Sequence, residues 1–179
     1  MTLLGELSPK TFLETYWQRQ ALVVRDALPN WGSPLSGDEL AGLSLEPDVA
    51  SRLVRSNSDQ TQWSVAFGPF DESDFANLPE SDWSLLVQAT DLWVPEIAVL
   101  KRQFHFLPSW RLDDIMVSFA PPGGSVGPHF DQYDVFLIQV EGRRHWKIGQ
   151  TCDQNTPLLD GTDLSILADF VTEAEYTLS

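Results

Sequence analysis

The sequence predicts an α+β fold dominated by a β-barrel or β-sandwich, and three features carry that prediction. Helix signals come first: a capping serine and first-turn proline at Ser8-Pro9, then a second helical stretch from Gly37. From Ser51 onward the texture changes to short apolar or alternating segments punctuated by Gly and Pro turns. No internal repeat or low-complexity linker interrupts the chain, so it reads as one domain.

In chain order, Lys10 to Gln18 reads as a short helix with Phe12, Tyr16 and Leu13 toward the core, and Ala21-Leu22-Val23-Val24 as a strand. Trp31 to Ser36 is turn-rich, and Gly37 to Leu45 reads as a helix that ends before Pro47. Strands are expected at Ser51 to Arg55, Gln62 to Phe67, Ser84 to Gln88, Arg111 to Ala120, His129 to Val140 and Arg144 to Ile148, with a helix over Pro95 to Phe104.

Composition narrows the function classes. Of 179 residues 42% are apolar, with seven Trp and ten Phe, enough for a hydrophobic core and too apolar for a disordered chain. No apolar run is long enough to span a membrane, and Met1-Thr2-Leu3-Leu4-Gly5-Glu6 lacks the positive region of an export signal. Cys152 is the only cysteine, which excludes an internal disulfide framework or a cysteine-rich zinc site and fits a reducing, cytoplasmic setting. The formal charge of -15 repels a phosphate backbone, so direct nucleic-acid binding is not expected, whereas a basic protein partner is allowed.

The chemistry concentrates in Ala120-Pro121-Pro122-Gly123-Gly124-Ser125-Val126-Gly127-Pro128-His129-Phe130-Asp131 and the segment after it. On a strand His129 and Asp131 share a face, so an imidazole nitrogen and a carboxylate oxygen can grip one cation, two legs of a facial triad. A His-x-Asp tripeptide is weak by itself, and a hydrogen-bonded polar pair at a strand end would look the same. The next expected strand alternates Arg144, Trp146 and Ile148 against Arg143, His145 and Lys147. Because Trp146 and Ile148 belong in the core, Arg144 turns inward with them, and an inward guanidinium calls for a carboxylate, either a ligand's or a protein side chain's.

Gly127-Pro128-His129-Phe130-Asp131-Gln132-Tyr133-Asp134-Val135-Phe136, followed by Gly142-Arg143-Arg144-His145-Trp146, resembles the bacterial ribosomal oxygenase family of JmjC-type hydroxylases. Trp110 to Ser118, Asn77 to Gln88 and the N-terminal helices match its general pattern too. The resemblance implies a JmjC/cupin-type double-stranded β-helix with N-terminal helices and hydroxylation of an arginine in a large-subunit ribosomal protein, with Fe(II) as metal and 2-oxoglutarate as cosubstrate. By the same resemblance His129 and Asp131 are metal ligands, Arg144 binds the cosubstrate with Ser118 assisting, and Asp114, Met116 and Tyr133 hold the substrate arginine. It further implies a homodimeric parent protein with dimerisation and winged-helix-like regions, both expected to be absent from residues 1–179.

The resemblance also calls for a third ligand, a histidine soon after a Pro-Gly-Asp turn, and the sequence reaches Glu175-Tyr176-Thr177-Leu178-Ser179 about where that turn begins. The expectation is a fold incomplete at the C-terminus, truncated before the last metal ligand and inactive as a fragment. The other histidines are His105, on or just after a predicted helix, and His145, whose strand parity points away from the pocket, and neither is a convincing substitute. Two rival readings stay open: a non-catalytic β-barrel module that binds a basic peptide through Asp114, Tyr133 and the acidic surface, and a small-molecule cupin enzyme that does not need Arg144.

Overall fold

The structure is a computed structural model that describes residues 3–179; Met1 and Thr2, which open the stretch read for an export signal, lie outside them. Short-range signals form as the sequence predicts. Helix α1 (Pro9–Thr15) starts where Ser8 Oγ accepts the Thr11 N–H at 3.0 Å, and α2 (Gly37–Leu43) carries a reciprocal cap between Ser36 and Glu39. Those hydrogen bonds from Ser36 hold the Glu39 carboxyl below the usual carboxylate range. Phe12 is buried under α1, whereas Leu13 lies at the surface.

Strands β1 (Ser51–Ser56), β2 (Trp63–Phe67), β3 (Trp83–Val87) and β4 (Val117–Phe119) form one antiparallel sheet in the order β2-β1-β3-β4. Its central pair aligns Leu53 with Leu85, and both pack with Leu40, Val49, Phe70 and Val87 in the core. Helix α3 (Glu72–Ala76) precedes β3 and was not anticipated, although Asp71 and Asp74 form a capping box that the sequence spells out. Helix α4 (Pro95–Leu100) ends in a tighter turn over Lys101–Phe104. Strands β5 (Arg144–Gly149) and β6 (Thr172–Leu178) form a separate antiparallel pair, with Trp146 opposite Tyr176. Among the described residues no helix is long and apolar enough to cross a membrane.

Three expected strands are corrected. Ala21 to Val24 forms no strand, and of Arg111 to Ala120 only Val117–Phe119 joins a sheet. His129 to Val140 is irregular. The reason is visible at Phe136: its ring lies 4.8 Å from Phe104 and 5.9 Å from Trp17, so side-chain packing rather than a backbone ladder holds this segment. Gln18 adds an amide hydrogen bond to Asp134 at 2.9 Å. Alternation in sequence reports which side chains turn inward, and Phe136 and Ile138 do so here, but a ladder also needs a neighbouring strand.

Leu85 is 1% exposed and Leu137 61%. Leu85→Ala is expected to cost about 2–5 kcal/mol, read as a lower urea midpoint at unchanged slope. Leu137→Ala is expected to stay within about 0.5 kcal/mol of the unmutated chain, and similar losses for both would contradict the assigned core.

Candidate active site

The run from Pro121 to Pro128 has no periodic hydrogen bonding and is fixed at separate points. Pro122 O accepts the Asp82 N–H at 3.0 Å, Ser125 O accepts the Ser84 hydroxyl at 3.2 Å, and Pro128 O accepts the Leu167 N–H at 2.8 Å. Within the loop Ser125 Oγ accepts the Gly127 N–H at 3.1 Å. Gly127 needs to be glycine twice over: its φ is +76°, and a Cβ there would run into Ile166 Cδ1. The anchored loop delivers His129 to the surface at a fixed place.

His129 Nδ1 lies 2.9 Å from Gly127 O, so the ring donates to that carbonyl through Nδ1 and keeps the Nε2 lone pair for a ligand. Nε2 is 3.9 Å from Asp131 Oδ2, and the two side chains are 42% and 36% exposed. Two donors each about 2.1 Å from one ion at a right angle lie about 3 Å apart, so closing on a cation needs a shift of about an ångström. The donor set and tautomer fit a divalent metal that accepts nitrogen and oxygen. The expected strand face is not what pairs them, since His129 to Asp131 lies on irregular chain.

Neither other histidine joins them. His105 Nδ1 is 3.2 Å from Arg102 O, and His145 lies against Glu175 at 3.1 Å and Thr177 at 3.2 Å. Among the described residues no three His, Cys, Asp or Glu side chains cluster closely enough to hold a metal.

On β5 the expected parity holds: Arg144, Trp146 and Ile148 are half-buried, His145 and Lys147 exposed. Arg144 donates to Gly124 O at 3.4 Å and its guanidinium carbon lies 5.2 Å from the Trp146 ring centre. Burial pushes its guanidinium below the ordinary arginine value, and no acidic side chain among the described residues pairs with it. Trp146 Nε1 is buried without a hydrogen-bond partner among the described residues. Two donors with spare capacity and no protein anion suit a carboxylate ligand. Ser118, on β4 opposite Leu86, is exposed and makes no hydrogen bond to Arg144.

Asp114 lies on irregular chain before β4, not on the expected strand face with Met116 and Ser118. Its Oδ2 accepts from Gln88 Nε2 and from the Ala89 N–H, both at 2.7 Å. It lines a cleft of about 420 Å³ with Gln88, Ala89, Asp91, Leu92, Lys101 and Asp113. Met116 is partly exposed and Tyr133 is 74% exposed. A second cavity of about 330 Å³ is bounded by Asp131, Phe130, Gln132, Cys152, Asp153 and Gln154; His129 does not line it.

Sequence reading missed Gln88, Asp91 and Lys101, because polar residues at turns carry no periodic signal. Asp91 Oδ1 accepts the Ile115 N–H at 2.8 Å, and its Oδ2 pairs with Lys101 Nζ at 2.5 Å. Desolvation pushes the Asp91 carboxyl up, but the Lys101 hydrogen bond, the Ile115 N–H and the Lys101 charge together outweigh it and hold the group below its usual value.

The JmjC domain family model matches residues 99–179. A probable ribosomal oxygenase of Haemophilus influenzae is 44% identical over 163 residues, covering 91% of this chain and 40% of its own length. The ribosomal protein uL16 3-hydroxylase of Escherichia coli is 52% identical over 139 residues, 78% of this chain and 36% of that protein. The structure of YcfD, a ribosomal oxygenase from Escherichia coli in complex with cobalt and 2-oxoglutarate, superposes with a TM-score of 0.83 at 42% identity, covering 98% of this chain and 44% of that one. The chain thus spans less than half the length of these relatives.

The Asp91 side chain is 5% exposed and Lys101 30%, so Asp91→Asn is expected to cost about 2 kcal/mol at neutral pH. Because the folded carboxyl titrates below its unfolded value of about 3.9, its contribution is complete above that value and fades as the pH falls through the folded one. Denaturant melts should show the gap between wild type and Asp91→Asn narrowing below about pH 4; a gap independent of pH would contradict the ion pair.

Proposed function

We propose, from the premise that this chain belongs to the JmjC-type ribosomal oxygenase family, that it forms the N-terminal and central part of an Fe(II)- and 2-oxoglutarate-dependent hydroxylase of a ribosomal protein. The single observation that carries this reading is the sharing of one loop by two functions. Gly127 O fixes the His129 ring with Nε2 toward Asp131, and three residues earlier in the same loop Gly124 O meets the Arg144 guanidinium. Metal pair and carboxylate clamp are held in register by one anchored segment.

In this assignment His129 and Asp131 hold Fe(II), and Arg144, aided by Ser118, takes the distal carboxylate of 2-oxoglutarate. The third ligand position is left to a group other than His105 and His145, which are engaged elsewhere. When bound, Fe(II) and 2-oxoglutarate supply the oxidising chemistry: 2-oxoglutarate loses carbon dioxide to become succinate while one oxygen atom of O₂ enters a carbon–hydrogen bond.

The chain's own residues bind and orient. The half-buried Arg144 offers a directional pair of donors in a place already partly stripped of water, which fixes the cosubstrate's far end. Asp114 at the cleft is assigned to the guanidinium of a substrate arginine, with Met116 and Tyr133 flanking its plane. The charge of -15 draws a basic ribosomal protein toward the site, uL16 being the protein acted on by the Escherichia coli relative.

Anaerobic calorimetry with Fe(II) and 2-oxoglutarate tests the assignment. His129→Ala is expected to abolish metal uptake. Arg144→Ala should weaken 2-oxoglutarate roughly 10- to 100-fold while leaving metal uptake intact, as befits loss of a charge-assisted pair. Unchanged cosubstrate affinity in Arg144→Ala would point instead to a small-molecule cupin chemistry that does not use the clamp.

A further inference from the structure

The acid assigned to the substrate is held by two neighbours that line the same cleft, Gln88 and Ala89. Asp114 Oδ2 is shared by Gln88 Nε2 and the Ala89 N–H, at 2.7 Å each, while Oδ1 receives no hydrogen bond from any described residue. The carboxylate is therefore asymmetric: one oxygen is committed to the protein and the other is available at the wall of the 420 Å³ cleft. Ala89 sits in the left-handed region at φ 52°, a costly conformation for a residue with a Cβ, and it is this turn at the end of β3 that aims its N–H at Asp114.

No sheet ladder holds Asp114, because β4 begins only at Val117. Side chains do it instead. Thr90 N–H and Oγ1 both donate to Ile115 O, Asp91 accepts from Ile115 N–H, and Lys101 ties Asp91 to Asp113 O. The residues on either side of Asp114 are thus clamped, which leaves rotation of the carboxylate as the main freedom, and the Gln88 amide removes it.

We propose that Gln88 is a positioning residue: with the Ala89 N–H it pins one oxygen of Asp114 and so presents the other to a cationic side chain in the cleft. Gln88 makes Asp114 a single-oxygen acceptor of fixed direction rather than a freely turning two-oxygen one. The inference rests on the reading of Asp114 as a substrate contact, and the alternative it excludes is that the carboxylate serves only to cap the turn after β3.

The test is a double-mutant cycle read by calorimetric titration of an acetylated basic peptide with one central arginine, and of the same peptide with citrulline in its place. The variants are Gln88→Met, which keeps length and removes the amide, Asp114→Asn, and the pair; Gln88→Glu, which replaces donor by acceptor, serves as a second disruption. Gln88→Met and Gln88→Glu should each weaken the arginine peptide about threefold to tenfold, leave the citrulline peptide unchanged, and add nothing once Asp114 is Asn. Wild-type affinity in both Gln88 variants, or an equal loss in the Asp114→Asn background, overturns the inference and marks Gln88 as structural only. Asp114→Asn with undiminished affinity is a separate result: it removes the substrate role of Asp114 and the inference with it.

Discussion

The hydrogen bond from Asp82 N–H to Pro122 O, at the entrance to β3, is the contact on which the site's geometry depends. It begins the series of point attachments that hold Pro121 to Pro128, a segment without a sheet partner. A run rich in Gly and Pro gains little from its own backbone and loses much entropy on ordering. Only attachment to something already rigid can fix it, and β3 is rigid because Leu85 and Val87 lie at the bottom of the core. The chain of dependence runs from α2 and the four-stranded sheet, through the edge of β3, to the loop, and from the loop to His129 and Arg144 together.

The parts of the site differ in how ready they are. Arg144 is half-buried with hydrogen-bonding capacity to spare, and Trp146 Nε1 beside it is a buried donor without a partner among the described residues. Such groups cost free energy until a partner satisfies them, which suits this place to an anion. Asp114 is likewise prepared, its segment tied by Asp91 and Lys101. The His129–Asp131 pair is looser, its side-chain atoms 3.9 Å apart on exposed side chains, so in the proposed metal site a cation would draw the last of that geometry together.

Much of this was legible in sequence where local rules govern. Ser8, Ser36 and Glu39 cap as their residue types dictate, and the alternation of Arg144, Trp146 and Ile148 correctly turned the arginine inward. The JmjC-type ribosomal oxygenase likeness read from Gly127 to Phe136 is shared by the relatives across most of the chain. What was not legible depends on partners distant in sequence. His129 to Val140 reads as a strand through its apolar run from Val135, yet its hold on the rest of the molecule is Phe136 against Phe104 and Trp17. The Gln88–Asp114 network failed to show for the same reason, since the two residues are 26 positions apart and meet only because the turn after β3 brings them together. Strand β6 lay in a stretch read for what should follow it, although Thr172, Tyr176 and Thr177 favour extended chain.

The central claim is that the anchored loop serves oxidation of a ribosomal protein by Fe(II), 2-oxoglutarate and O₂. The most direct measurement incubates the complete hydroxylase, of which these residues are proposed to form the N-terminal and central part, with these three and purified uL16, then follows intact and peptide masses alongside succinate. The account predicts the gain of one oxygen atom on an arginine of uL16, matched mole for mole by succinate and absent without 2-oxoglutarate. Tight binding of uL16 with neither oxygen gain nor succinate would contradict it and leave a binding module in its place.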